Sequence, residues 1–539
     1  MTAKRPTRAA VLFLTVAMFG SVATARWPED PEENLVIADR VSRQTVPKVA
    51  STPDCGCYVG WFDLASGNYD VYLQRLDAAG VEQWAHNGIL VSAHPQDTWL
   101  VEWDLIADSA GNAVLVFADL RDGANLSVHA YCVSPDGQML WGANGVTLST
   151  GGFMNVAPCV VQTSTGDFVF VWQSTALTGT GDLRMQRLSP GGVEQLDIGG
   201  VPIVQGVGRE APCFQAVAPA NDGSVIVSWL TDLDYLDDKF LRAERFSAAG
   251  ASMWGGPVDV YDEVSLPAGY RPLIQADGNG GAFVIWHRTP LSLYNSLVQH
   301  LDANGNELFT HNGVEVSTTP GRDHINPTFS YDPDVGNILI FWTEQWTDPA
   351  TLWRYWGVYG QKLSAAGARL WGDSGAELLP LSTIELRSLR SVPYADGAML
   401  FFIDAPTGDS NVNRVIGMRV DGSGNHVWPG SSVVVSSLLS TKSRLPVTID
   451  RSGVAKLVWE DQRNGSWDTV DVYGQNVDPD GTLGVLGLAD FELLAGCLAG
   501  PGATPPADCA AADRDGDADV DLGDFALFQS AFDNLTCGQ

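Results

Sequence analysis

Positive charge is scarce in this 539-residue sequence: 31 Lys and Arg stand against 64 Asp and Glu, a formal net charge of −33. So acidic a chain repels phosphate, which argues against nucleic acid and anionic membranes as partners. Cysteine is sparse as well, eight residues in all, too few to be the scaffold. Long apolar runs are nearly absent. The clearest, residues 9–19, is about 11 residues long and too short to span a bilayer. It lies between Lys4, Arg5 and Arg8 and the small-x-small triplet Ala23-Thr24-Ala25. Residues 1–25 therefore read as a secretory leader, with the mature chain starting near Arg26 in a compartment that permits disulfides. No helical period appears before about residue 488. Gly-x-Ser-x-Gly, His-Glu-x-x-His and phosphate-loop motifs are all missing.

What the sequence has in quantity is glycine (57) and tryptophan (18), as many short strands joined by tight turns require. One stretch is written repeatedly. Its clearest copy covers residues 277–286, 297–305 and 313–317, with weaker copies at 108–149 and 454–481. An aromatic anchor closes the most apolar strand of each copy: Trp61, Phe117, Trp172, Trp229, Trp286, Trp342, Phe402 and Trp459, spaced 55–60 residues apart. Each unit carries four strand signals, a to d, with period-2 alternation and Gly or Asp-Gly punctuation. Four-stranded units without helices arrange radially around an axis, whereas a β-solenoid uses shorter rungs. Seven units carry all four strands, and the eighth stops after strand c near Val477. The missing strand is available at residues 34–38, and pairing it there removes two exposed edges. The expected fold is mostly β, an eight-bladed β-propeller over residues 34–481. Seven blades is the alternative, because the unit around Phe402 is the most degenerate. The regular a–b and c–d turns share one face, so the variable b–c and d–a connections mark the functional face.

The repeat resembles NHL-type blades and propeller repeats of secreted bacterial proteins. The shared features are a Pro before strand a (Pro158, Pro212, Pro272, Pro327, Pro446), an Asp-Gly turn into strand b, and an Asp-x-x-Gly turn after strand c. The resemblance implies a fold and little about function.

After Gly481 the pattern changes. Residues 488–498 have helical spacing, a Gly/Pro link covers 500–506, and a second apolar helix is expected from Phe525. Before it, Asp513, Asp515, Asp517, Asp519, Asp521 and Asp524 occupy positions 1, 3, 5, 7, 9 and 12 of a loop. That spacing wraps hard oxygens around a calcium ion, with side chains from 1, 3, 5, 9 and 12 and the backbone carbonyl of position 7. Without a cation, six carboxylates this close repel strongly. The segment, residues 484–539, resembles a dockerin type I module. The resemblance implies two packed loop-helix units, calcium dependence, a cohesin-like or cell-surface partner and a Cys497–Cys509 bond. Phe525 and Phe528 are expected to pack on Leu493 and Leu494. Three departures stand out: Ala518 replaces the usual glycine, and Leu522 and Gly523 replace partner-reading hydroxyls. The first loop is also degenerate, with Pro479, Gly481, Leu483 and Gly487 at its ligand positions.

Other candidates are fewer. Trp346, Trp353, Tyr355 and Trp356 crowd one b–c connection, where they would form a glycan platform or, on the more favoured reading, pack between blades. Asp232, Asp234, Asp237 and Asp238 form an acidic turn, or less readily a second cation site. Arg209, Glu210, Arg271, His324, Arg390 and Arg444 lie where strand a begins, and several Arg converging there would clamp a carboxylated sugar. Ser134–Trp141 nearly spells an Asp box with its Gly one residue early, so its Trp reads as a packing residue. His86 and His311 share a repeat position and read as structural. The expected protein is a secreted monomer, a non-catalytic scaffold recognising a glycan or protein and attached through its C-terminal module. The competing expectation is a carbohydrate-active hydrolase or lyase.

Overall fold

A computed structural model describes residues 26–534 except 97–101, 122, 124, 152–153, 176–179, 207–210, 233–237, 268–270, 290–292, 466–467, 485–487, 507–508, 510–511, 514–516 and 518. The expected leader lies outside the described residues. Eight antiparallel sheets follow one another along the chain as a ring of blades, the eight-bladed β-propeller. Blades 1 to 7 cover residues 44–92, 104–147, 154–205, 211–261, 273–315, 323–382 and 385–440. Blade 8 takes residues 442–477 and the strand Leu35–Ala38. The unit around Phe402 is a regular four-stranded blade despite its degenerate sequence.

In blades 1 to 7 strand order follows the sequence from axis to rim, in blade 8 the rim strand is Leu35–Ala38, and inner strands of most successive blades pack on one another. The second strand is sandwiched between neighbouring blades, so both of its faces are apolar: every residue of Cys57–Asp63, Ala113–Asp119 and Ala455–Asp461 is buried. All eight anchors sit here, none more than 2% exposed. Between third and fourth strands an aspartate builds the turn. Asp302 Oδ1 accepts the N–H groups of Asn304 (2.8 Å) and Asn306 (2.9 Å), and Gly305 follows at φ +83°. Gly305 is needed twice, because a Cβ there would also lie 2.6 Å from Trp254 of the preceding blade. That indole donates to Ala303 O at 3.0 Å. Trp84, Trp141 and Trp428 staple their neighbours in the same way, through Pro135, Pro190 and Pro479 carbonyls. The near-Asp-box Trp141 is thus a packing residue.

The recurring Pro precedes the inner strand as expected at Pro272 and Pro446 but not elsewhere. Pro158, Pro212 and Pro327 lie inside strands that begin earlier and pass through a bulge. Val46, Ala157, Phe214, Asn326, Ser388 and Arg444 occupy that bulge at φ between +50° and +55°. A bulge frees one residue from the ladder, so a Pro without an N–H is tolerated beside it.

The ring closes through its two ends. Leu35 pairs with Gly474, Val36 with Tyr473 and Ala38 with Val472. Asn34, at φ +39°, accepts from Ser436 (2.6 Å) and Arg463 (2.9 Å) and donates to Val435 O (3.0 Å). Trp27, unanticipated from the sequence, packs against Gly80 of blade 1, the place that a staple from blade 8 would occupy.

After the ring come two helices, Leu488–Cys497 and Leu522–Asn534, and a Cys497–Cys509 disulfide ties the end of the first to the segment between them. Leu494, Val520 and Phe528 form the small core, with Phe525 against it and Phe491 beside Phe528 at 5.8 Å. Leu493 is 36% exposed and contributes little, since the buried stripe runs through Leu494 and Cys497, three apart. The supposed degenerate first loop is a propeller turn instead: Gly481 N–H closes onto Asp478 O, and Gly481 lies under Trp428.

Burying Leu35 and Ile37, 3% and 0% exposed, is worth about 3–6 kcal/mol before the ladder is counted. Deleting residues 26–38 from the mature chain exposes two strand edges. The expected outcome is loss of a single cooperative melting transition, or aggregation, by differential scanning calorimetry. An unchanged melting curve would contradict closure by this strand.

Candidate functional site

Two residues beyond each anchor the repeat places its next chemistry. Five of the eight positions are acidic and buried: Asp63, Asp119, Glu344, Asp404 and Asp461. Where the anchor is Trp, this carboxylate accepts the indole N–H: Trp61 to Asp63 at 3.5 Å, Trp342 to Glu344 at 2.8 Å, Trp459 to Asp461 at 2.9 Å. In blade 3 the oxygen comes instead from Asn155 of the inner strand, 3.2 Å from Trp172 Nε1. Cations face these acids, Arg40 at Asp63, Arg121 at Asp119, Arg414 at Asp404, Lys442 and Arg463 at Asp461. A feature repeated around the ring is structural, so these buried acids are not evidence of catalysis.

His324 belongs to this wall. It is 1% exposed, edge-on to Trp342, with Nε2 3.4 Å from Glu344 Oε2. Burial lowers its pKa to about 4 and raises that of Glu344 to about 7, against the hydrogen bond from Trp342 and the charge of Arg322. Arg444 sits in the bulge of blade 8, 3.2 Å from Glu460. Neither residue reaches the cavity described next. Arg209 and Glu210 lie outside the described residues.

The axis itself carries charge. The residue opposite the one before the anchor is equivalent in every blade: Lys48, Asp104, Cys159, Ala216, Leu273, Thr328, Arg390 and Pro446. Arg390 is exposed to the lumen yet ringed by protein, and this crowding lowers its pKa from the ordinary guanidinium value. Its Nη1 donates to Leu389 O at 2.9 Å, and no acid pairs with it among the described residues.

Blade 5 opens the wall beside it. Among the described residues its inner strand pairs over Leu273–Ala276, against Ala282 to Ile285, and Trp286 and His287 lie beyond that pairing. A cavity of about 360 Å³ is lined there by Arg271, Ile285, Trp286, His287, Asn326, Thr328 and Arg390. Arg271 lies 3.9 Å from Glu102 of blade 2; blades 3 and 4 lie between the two along the ring, so the pair reaches across the lumen. His287 is 7% exposed, and its Nε2 accepts the Asn326 N–H at 2.6 Å. Burial lowers its pKa to about 3, which leaves a neutral ring with its proton on Nδ1. The sequence signal for Arg271 and Arg390 was their place at the start of strand a. His287 carried no such signal: its place in the cavity follows from its contact with the bulge residue Asn326 of blade 6, which no local pattern records.

The aromatic candidates do not form one platform. Trp346 and Tyr355 pair across strands at 5.3 Å, Trp356 packs with the core between blades 6 and 7, and Trp353 is 62% exposed near the tip. Asp234 and Asp237 lie outside the described residues. His86 and His311 are structural as expected, each bridging a nearby Glu at 2.9–3.0 Å and an Asp contributed from before its own blade, Asp39 or Asp262, at 3.1–3.2 Å.

At the C terminus, Asp519, Asp521 and Asp524 bring carboxylate oxygens within 4.8 Å of one another, a group able to hold a metal ion. Asp521 and Asp524 also form a reciprocal helix cap: Gly523 N–H donates to Asp521 Oδ1 (2.6 Å) and Asp521 N–H to Asp524 Oδ2 (2.7 Å). Asp519, expected to offer its carbonyl, turns its side chain into the group. Its Oδ2 accepts Gly502 N–H while its Oδ1 is buried with no partner. Asp513 and Asp517 are not among the three, and Asp515 lies outside the described residues.

Neither a protein-family model nor a curated protein matches the chain. Among solved structures, it is similar to an ulvan lyase of a new polysaccharide lyase family, bound to a GlcA(1-4)Rha3S unit. The TM-score is 0.46 at 10% identity, covering 85% of this chain and 98% of that one. The polysaccharide lyase Uly1 gives 0.41 at 11% identity, over 82% and 91%. An α-L-arabinofuranosidase from Fusarium graminearum gives 0.34 at 12% identity, over 59% and 93%.

Proposed function

We propose that this is an exported binding scaffold whose axial cavity takes a carboxylated ligand, the uronate unit of an acidic glycan. One observation carries the reading. In a chain of net charge −33, two guanidinium groups, Arg271 and Arg390, line the same 360 Å³ cavity. Charge-assisted bonds from Arg to carboxylate are strong and geometrically selective in such a crowded, low-dielectric place. Thr328 and Asn326 add polar edges for hydroxyls. Cleavage of the glycan would need an acid or base within reach. His287 spends its acceptor nitrogen on Asn326, and Glu344, whose pKa near 7 would suit the task, is walled in at 1% exposure. Binding without chemistry is therefore favoured over hydrolysis or elimination. Calorimetry with polygalacturonate and a neutral polysaccharide of equal length tests this. The wild type should bind the acidic chain, weaken with salt, and lose about 10- to 100-fold on Arg271→Gln with Arg390→Gln at unchanged melting temperature. Equal binding by the double variant, or preference for the neutral chain, would overturn it.

The C-terminal module is read as a calcium-dependent attachment unit for a cohesin-like or cell-surface partner. The residues fit the ion: an unpaired carboxylate oxygen of Asp519, in a residue 6% exposed, is costly unless a cation or donor meets it. Asp519, Asp521 and Asp524 would hold the ion, which would neutralise their repulsion and couple metal binding to folding of the helices. With full-length protein, millimolar calcium should give binding heat and protect residues after 484 from proteolysis, with the main propeller transition unmoved. Asp519→Asn keeps the acceptor for Gly502 and should weaken calcium binding at least tenfold. No calcium heat, or wild-type affinity in Asp519→Asn, would refute the site.

A further inference from the structure

Blade 4 breaks the rule that supplies each anchor indole with an oxygen. Two positions provide that oxygen elsewhere: the residue two beyond the anchor, and its partner on the inner strand. In blade 4 they are Thr231 and Pro212, which pair with each other. Trp229 Nε1 donates to no described residue. Thr231, 3% exposed, has its Oγ1 buried without a partner as well. Where the carboxylate stands in blades 1, 6 and 8 there is a cavity of about 330 Å³, bounded by the outer strand of blade 3 (Val201–Gln205) and the face of blade 4.

The rest of the wall selects a guest. The third strand of blades 1, 3, 5, 6 and 8 carries Gln opposite the residue two before the anchor, and blade 4 carries Glu244 there. Glu244 is held by the N–H groups of Arg245 and Trp254 and by Ser252 Oγ, all at 3.0 Å, so its carboxyl group is fixed in the wall. Arg242 lines the cavity too but is bound to Asp259 at 2.7 Å. An anionic guest would face Glu244 unshielded. A guest that accepts from an indole and donates to a carboxylate has hydroxyl groups. The apolar part of the wall, Ile203, Pro212 and Phe246, suits the C–H face of a sugar ring. The volume is at the small end of ligand pockets, about 300–1,000 Å³.

We propose that this inter-blade cavity binds a neutral saccharide, a monosaccharide or chain end, with oxygens accepting from Trp229 and Thr231 and hydroxyls donating to Glu244. The site is separate from the axial cavity and does not depend on it.

The test uses full-length protein with glucose, galactose and arabinose as neutral probes and galacturonate as the anion, by calorimetry and saturation-transfer NMR. At least one neutral sugar should bind at millimolar concentration and more tightly than galacturonate. Thr231→Asp restores the repeat's own carboxylate. It should reduce that binding at least tenfold, while Arg390→Gln leaves it unchanged. Binding of no neutral sugar, a preference for galacturonate, loss in Arg390→Gln, or wild-type affinity in a folded Thr231→Asp would each overturn the site. Should Thr231→Asp not fold, Thr231→Val removes the hydroxyl at similar volume, and unchanged affinity there would count equally against it.

Discussion

A tryptophan buried between two blades needs an acceptor for its N–H, and much of this propeller follows from that need. The anchor must be large and apolar to fill the space between sheets, yet the indole carries one donor that burial makes costly to leave unpaired. The repeat answers with an acid two residues on, and the acid in turn recruits a cation, as Asp461 recruits Lys442 and Arg463. The fold thus tolerates buried charge because each charge is part of a closed local set.

The two exceptions among the Trp anchors are informative together. Trp286 Nε1 is buried without an acceptor and Trp229 Nε1 donates to no described residue, and each indole lines a cavity. In blade 4 the position of the acid holds Thr231; in blade 5 it holds Arg288. A blade that gives up part of its satisfied interior opens space for something else to satisfy it. Function on a propeller can arise in this way without altering the ring.

The sequence made the ring legible because period and strand count are local patterns. Anchor spacing gave the blades, and an eighth unit lacking strand d pointed to residues 34–38. Cys497–Cys509 was legible through a resemblance, and the grouping of Asp519, Asp521 and Asp524 through the spacing of the acidic loop. Three things were not. Trp27 looks like an isolated residue until it is placed on Gly80, across the closed ring. The bulge that carries Asn326 and its neighbours depends on backbone conformation, which only the Pro beside some of them hints at. Arg271 and Arg390 were flagged by their place in strand a, but which two of the flagged group share a cavity depends on the closed ring and has no signature in a linear chain. The degenerate loop around Gly481 misled for the opposite reason: the Asp-x-x-Gly propeller turn was read as a relic of a metal loop.

The central claim is that satisfied indoles build the wall and unsatisfied ones mark its openings. Hydrogen exchange at the indole N–H groups, followed by NMR with each anchor assigned by substitution, tests it most directly. Trp61, Trp172, Trp342 and Trp459 should exchange slowly, and Trp229 should exchange far faster, closer to exposed Trp353. Protection of Trp229 equal to that of the four paired anchors would contradict the account.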